Sequence, residues 1–222
     1  NDGEPRIAYS FEVARTQRFK KGSGLPIKAP AMDLIEIGAG GGSIANVNQF
    51  GLLQVGPQSA GANPGPACYG IGGNHPTVTD ADLLLGYLDP DYFLGGEMAL
   101  NSVKAEEAIS SNLAEVMGID PLRAAWGIHE VVNENMASAV RIHIAEMGED
   151  PRKYTLVATG GAGPVHAYHV AEKLNIRRLI CPPSAGVASS LGLLVAPPKM
   201  DIVRSYSMPL DEIEWEQIRQ IY

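Results

Sequence analysis

The chain has 222 residues, a length compatible with one domain or two small ones and ample to bury a core without disulfides. Hydrophobic residues make up 45% and charged residues 19%, which excludes a disordered chain. Seventeen Lys and Arg against 25 Asp and Glu give a net charge of −8 with no long basic run, so a nucleic-acid or anionic-membrane surface is excluded as a first reading.

Residues 1–30 are polar and mixed, with a turn at Lys20–Gly24 and a short strand-like alternation over Phe11, Val13 and Arg15. Met32–Ile37 is a β-rich stretch ending in Gly38-Ala39-Gly40-Gly41-Gly42-Ser43. Ile44–Asn48 and Leu52–Val55 follow as two short strands around a turn at Phe50-Gly51, which predicts a three-strand antiparallel meander. Gly56–Gly73 is a long Gly/Pro loop, of a length more often functional than filler. Thr79 is the expected N-cap of a short helix through Leu83–Leu88, with Asp82 three residues on.

From Asn101 the pattern turns helical. Val103, Ile109, Leu113, Val116 and Met117 recur at helical spacing until Gly118. Pro121 opens a long amphipathic helix in which Leu122, Ala125, Ile128, Val132, Met136, Ala139, Val140, Ile144 and Met147 share a face, ending at Gly148. Strand Tyr154–Thr159, helix Pro164–Leu174, strand Arg178–Cys181 and helix Ala185–Val195 complete the order. A meander followed by β-α units predicts a mixed sheet with helices on its faces, an α/β fold of the ribonuclease-H-like type. No internal repeat is visible.

The chain holds 25 glycines and 16 prolines, so some of its backbone must turn sharply or approach something closely. Gly38, Gly40, Gly41 and Gly42 leave backbone N–H groups able to curl around an anion. Ser43 offers a hydroxyl to phosphate, and Glu36 suits a water of a phosphate-bound Mg²⁺. No Gly-Lys-Ser/Thr follows and a strand rather than a helix comes next, so this is neither a Walker loop nor a Rossmann turn, and a glycine-rich hairpin or bulge stands as the alternative. Gly160-Gly161-Ala162-Gly163-Pro164 lies between a strand and a helix, where open α/β folds bind ligands, with a plain tight turn as its alternative. Two such loops on one sheet suggest a nucleotide, its phosphates on one loop and its nucleoside on the other.

Several segments together resemble the hydantoinase A / 5-oxoprolinase family. They are Asp33–Ala45, Val55-Gly56-Pro57, Ser59–Ala62, Pro64–Gly70, Pro76–Ala81, Gly160–Pro164 with His166, and Gly186–Gly192. The resemblance spans about Gly22 to Val195 in family order. It implies an actin-like ATPase fold and ATP-dependent activation of a carbonyl, for opening a cyclic amide or imide or for ketone carboxylation. A nucleotide-binding scaffold without turnover is the rival reading. The resemblance also implies Glu36–Ser43 as the second phosphate loop, Gly160, Gly161, Ala162 and Gly163 as the adenosine loop, and Gly186–Gly192 as a connecting helix. ATP and Mg²⁺ are the implied cofactors. A hydantoinase-B-like subunit or domain is the implied partner, with a small cyclic amide or ketone as substrate. The family's first phosphate loop, Asp-x-Gly-Gly-Thr, has no counterpart here. The chain is therefore expected to be the C-terminal part of an ATPase subunit, inactive without its N-terminal lobe. Residues 1–30 are then a lead-in from that lobe, 31–200 a nucleotide-binding lobe with a loop insertion at about 57–100, and 201–222 the start of a following segment.

The remaining polar residues divide as follows. His75 and Asp80 flank a family-like segment, and line the substrate side or serve a turn and helix cap. His166 and His169 are three apart, as on one helix face, with no carboxylate at matching spacing, and a helix-surface or packing role is expected in preference to metal ligation. His143 is expected to be structural. Cys68 has no activating base in view and is assigned a structural place. Asp33 is a polar strand edge or a second carboxylate, with Glu36 preferred for the metal. Cys68 and Cys181 form no disulfide framework, which favours a reduced, cytoplasmic setting. The opening carries no signal-peptide pattern, and no apolar run approaches the roughly 18–20 residues of a membrane helix.

Overall fold

The computed structural model describes residues 7–14, 22–32, 34–198, 200, 202 and 205–221. Asp33, Arg15 and the lysines of the Lys20–Gly24 turn lie outside the described residues. Among the described residues the chain is mixed α/β, with four small sheets of two strands each. It divides into two compact units, Asn1–Ala188 and Ser189–Tyr222.

The first unit opens on β1 (Ile7–Ala8), β2 (Phe11–Val13), β3 (Leu25–Ile27) and β4 (Ala31–Met32). β1 pairs with β4 and β2 with β3, both antiparallel. β5 (Ser43–Val47) and β6 (Leu53–Ser59) form the expected antiparallel hairpin, with a register irregularity between Ser43 and Ala45. Of the expected first strand of the meander, Met32–Ile37, Met32 lies in β4, which pairs with β1 and not with the hairpin. Residues 34–39 are not part of a strand, although Leu34, Glu36 and Gly38 are exposed while Ile35, Ile37 and Ala39 are partly buried. That alternation is strand-like.

α1 spans Val78–Leu84 and begins two residues earlier than the capping pattern predicts. Thr77 is the N-cap, and Asp80 at the third position completes the capping box. The reason is tertiary: Thr77 is bridged antiparallel to Ile44 and Ala45 N–H donates to Pro76 O, so the sheet holds the chain extended up to Thr77. α2 (Ser102–Ile109) is capped by Asn101, passes through a π turn at Ser110–Ala114 and ends in α3 (Glu115–Met117), where Gly118 takes φ +66°. α4 is the long helix, Pro121–Glu146, with Asp120 as N-cap accepting from Arg123 N–H and Pro121 in the first turn.

The parallel unit is as expected in order and direction. β7 (Leu156–Val157) pairs in parallel with β8 (Leu179–Ile180) through α5 (Gly163–Lys173). The core runs along α4. Ile128, Val132, Ala124 and Ala125 pack with Val78 and Ala81 of α1, Ala45 and Val55 of the hairpin, and Ile109 and Leu113. Further along, Ala137 packs with Val170, Ala171 and Leu174 of α5 and with Ile176. Val103, Val116 and Leu122, placed by periodicity on apolar faces, are exposed.

In the second unit, α6 (Ala188–Val195, its first residue in the first unit) and α7 (Trp215–Ile221) are the α-helices. The expected connecting segment Gly186–Gly192 falls across a 3₁₀ turn at Ala185–Val187 and the start of α6. No helix is long and apolar enough to cross a membrane among the described residues.

Candidate functional site: two glycine turns beside an apolar cavity

The first glycine turn is closed on itself and docked on α1. Ser43 N–H donates to Gly40 O at 3.0 Å, and Gly40 N–H donates to Ser43 Oγ at 3.0 Å. Thr79 N–H, at the start of α1, donates to Gly41 O at 2.8 Å, and Ala60 N–H donates to Gly42 O at 2.9 Å. A Cβ on Gly41 would lie 2.6 Å from Thr79 Oγ1, and one on Gly42 would lie 2.9 Å from Ser59 Oγ. A side chain at either position would therefore have to displace a neighbouring hydroxyl inside the fold. Gly40 faces open space, and Gly38 takes φ +57°. Glu36 and Gly38 are exposed, while Ser43 is buried with its hydroxyl against Gly40.

The second glycine turn is open. Gly160, Gly161 and Gly163 have nothing within 4 Å of where a Cβ would sit, and Gly160 takes φ +86°. Gly160 N–H is tied to Ala185 O at 2.8 Å, which holds the turn at the end of β7. Ala162 is the N-cap position of α5.

The fold brings the approach to the first turn beside the second. A cavity of about 300 Å³ is lined by Ile35 and Ile37, by Met136 and Val140 of α4, and by Thr159 and Gly163 of the second turn. Its wall is largely apolar with polar groups at the glycine turn, the composition of small-molecule sites.

His75 and Asp80 are not brought together. His75 lines a separate hollow of about 440 Å³ with Asn46, Gln58 and Asn112. Asp80 is fully buried and turned inward. Its carboxylate accepts from Cys68 N–H at 2.7 Å, Ala67 N–H at 3.2 Å, Thr77 N–H at 2.8 Å and Thr77 Oγ1 at 2.7 Å. This fastens the Ala67–Tyr69 turn to the start of α1. Burial, and then the Asp80 charge and hydrogen bond, push the Cys68 thiol far above its ordinary range, so it is no nucleophile.

Sequence reasoning missed a third group. Asp82 of α1, His129 and Asn133 of α4, and His166 of α5 meet in the interior, all essentially without solvent exposure. His129 Nδ1 lies 2.8 Å from Asp82 Oδ1, His166 Nε2 lies 3.4 Å from Asp82 Oδ2, and His166 Nδ1 lies 2.9 Å from Asn133 Oδ1. Burial acts to raise the Asp82 carboxyl, but the hydrogen bond from His129 and the nearness of His166 outweigh it and hold it below its ordinary value. The imidazoles of His129 and His166 stack at 4.8 Å between centroids, and Tyr87 stacks on the other ring neighbour, His129, at 4.8 Å. The available signal was the polar pair His129 and Asn133, four apart beside the apolar stripe of α4.

Comparison with known proteins decides the family, because residues 1–202 match the hydantoinase/oxoprolinase family. The chain belongs to that family. It is 44% identical over 196 residues to the caprolactamase subunit alpha of Pseudomonas jessenii, covering 87% of this chain and 28% of that protein. The crystal structure of that ATP-dependent caprolactamase matches with a TM-score of 0.70, over 79% of this chain and 26% of that one. The acetophenone carboxylase gamma subunit of Aromatoleum aromaticum is 45% identical over 181 residues, 81% of this chain and 24% of that protein. A nucleotide-free structure of acetone carboxylase, solved for the mechanism of ATP-dependent acetone carboxylation, matches with a TM-score of 0.73 at 30% identity, over 86% of this chain and 26% of that one. The chain thus spans about a quarter of the length of these relatives. They are ATP-dependent enzymes or named subunits of enzymes.

Proposed function

We propose that the chain is the nucleotide-binding lobe of an ATP-dependent cyclic amide hydrolase, in an actin-like arrangement. The observation that carries the reading is the shared cavity: Ile35 and Ile37, on the approach to the first glycine turn, line one wall, and Thr159 and Gly163 of the second turn line another. In this reading the open Gly160–Gly163 turn accepts the adenosine, with the half-buried apolar side chains beside it covering the base. The phosphates run toward Gly38–Ser43, where Gly40 has room for a close approach. Glu36 is exposed and offers carboxylate oxygen to a water of Mg²⁺, a cation that takes oxygen ligands and keeps its waters.

The γ-phosphoryl group would pass from ATP to the carbonyl oxygen of the cyclic amide, breaking its bond to ADP. Water then attacks the activated carbon as the ring C–N bond opens, and a second water carries the phosphoryl group away as phosphate. The contribution of this lobe is positioning and charge neutralisation rather than covalent chemistry. A preceding lobe of the same protein and a hydantoinase-B-like subunit complete the site. Ketone carboxylation is the second reading, favoured by the 45% identity to the acetophenone carboxylase gamma subunit.

The test is calorimetric titration of the full-length protein with ADP and Mg²⁺, for wild type and Gly161→Val. Gly161 has open space around it, so valine there should leave the fold intact and weaken binding at least tenfold. Unchanged affinity would overturn the adenosine assignment. Phosphate release dependent on a lactam or hydantoin, against release dependent on ketone and bicarbonate, separates the two readings.

A further inference from the structure

We propose that Asp82, His129 and His166 form a binding site for one divalent transition-metal ion of the zinc class. Nothing in the nucleotide reading requires it, and it stands independently of that reading.

Three helices deliver one donor each: a carboxylate from α1, and one imidazole nitrogen from each of α4 and α5. Donor atoms of the three side chains all lie within 4.8 Å of one another, and no other group of three His, Cys, Asp or Glu residues among the described residues meets that condition. Two imidazoles with one carboxylate suit zinc and its transition-metal neighbours, whereas Mg²⁺ takes oxygen. The donor set is thus unsuited to the nucleotide's own cation.

The hydrogen bonding leaves the group unfinished. His166 Nδ1 faces the amide oxygen of Asn133 at 2.9 Å, a hydrogen bond with the ring proton placed on that nitrogen, and Asn133 Nδ2 is buried with no partner. Nε2 then turns a lone pair towards the Asp82 carboxylate at 3.4 Å, without hydrogen-bond alignment. Two electron-rich atoms facing each other in a dry interior need a positive centre between them. A shared proton would draw them to about 2.7–2.9 Å. Donors on a tetrahedral zinc with bonds of about 2.0–2.1 Å stand about 3.3–3.4 Å apart, which the His166–Asp82 spacing meets. The His129–Asp82 contact, at 2.8 Å, would open by about half an ångström to admit the ion. Asn133 has the place of an outer-shell partner, fixing the tautomer and plane of a liganding histidine. His129 Nε2 and His166 Nε2 are both buried with no hydrogen-bond partner.

The place of the ion in the fold gives it a task. α4 and α5 line the 300 Å³ cavity through Met136, Val140, Ala167 and Val170, and α1 carries the first glycine turn through the Thr79–Gly41 hydrogen bond. An ion held by all three helices ties the cavity wall to that turn.

The experiment compares full-length wild type, His166→Gln and, as a control outside the group, His143→Gln. Each is stripped with a chelator, reloaded with Zn²⁺ or Co²⁺, freed of unbound metal and read by elemental analysis, with the visible spectrum of the Co²⁺ form. The expected result is one equivalent per chain more in wild type and His143→Gln than in His166→Gln, and a Co²⁺ spectrum that His166→Gln loses. Reloading stripped wild type with Zn²⁺ should raise its Tm by more than about 5 °C, as ligation confined to the native state requires. That comparison needs no variant, so it stands even if His166→Gln does not fold. Equal metal content in wild type and a folded His166→Gln, or no Tm change on reloading wild type, would overturn the site.

Discussion

Gly41 and Gly161 sit in similar-looking glycine runs, yet they answer to different constraints. A Cβ on Gly41 would strike Thr79 Oγ1 at 2.6 Å, so a side chain there disturbs the docking of the turn on α1 whether or not a ligand binds. Gly161 has open space, so substitution there reports on a ligand alone. Asp80 is the other residue whose place is decided inside the fold. Its carboxylate satisfies the N–H groups of Ala67, Cys68 and Thr77 in a dry setting. Asp80→Ala leaves those donors buried and unpaired and should cost about 3–5 kcal/mol, read as a lower urea midpoint. A loss below about 1 kcal/mol would show that water replaces the carboxylate. Thr77-Val78-Thr79-Asp80 and Thr79-Asp80-Ala81-Asp82 both satisfy a Thr-x-x-Asp cap pattern. The choice between them was not legible locally, because the bridge from Thr77 to Ile44 on β5 makes it.

At the scale of elements, the helices were legible because their signals are local. Asn101, Asp120, Pro121 and Gly118 each mark a boundary through the backbone groups beside them. Which positions within a helix are buried was less legible. Ile128 and Leu122 both fall on the apolar stripe of α4, but Ile128 is fully buried and Leu122 is 54% exposed. Ile128→Ala should cost about 2–5 kcal/mol and Leu122→Ala less than about 0.5, a contrast that denaturant titration of the pair would measure. Equal effects would mean that α4 packs on a different face. The stretch over residues 34–39 shows the converse. Its alternation is that of a strand, but among the described residues the pairing in this region belongs to Ala31–Met32 with Ile7–Ala8, and a one-dimensional pattern does not choose which residues a partner backbone engages.

For the whole molecule, family membership and the parallel β7–α5–β8 unit could be read along the chain, since each rests on motifs or periodicity within a few tens of residues. The two glycine turns were also visible in order, from residue type alone. Tertiary structure decided which turn is closed by its own packing and which is open, because that depends on Thr79 and Ser59 arriving from elsewhere. It also decided that Asp82, His129 and His166 meet. No spacing relates residues on three separate helices; only the packing of α1 and α5 against α4 sets their distances, and burial there turns three ordinary polar side chains into one coupled group.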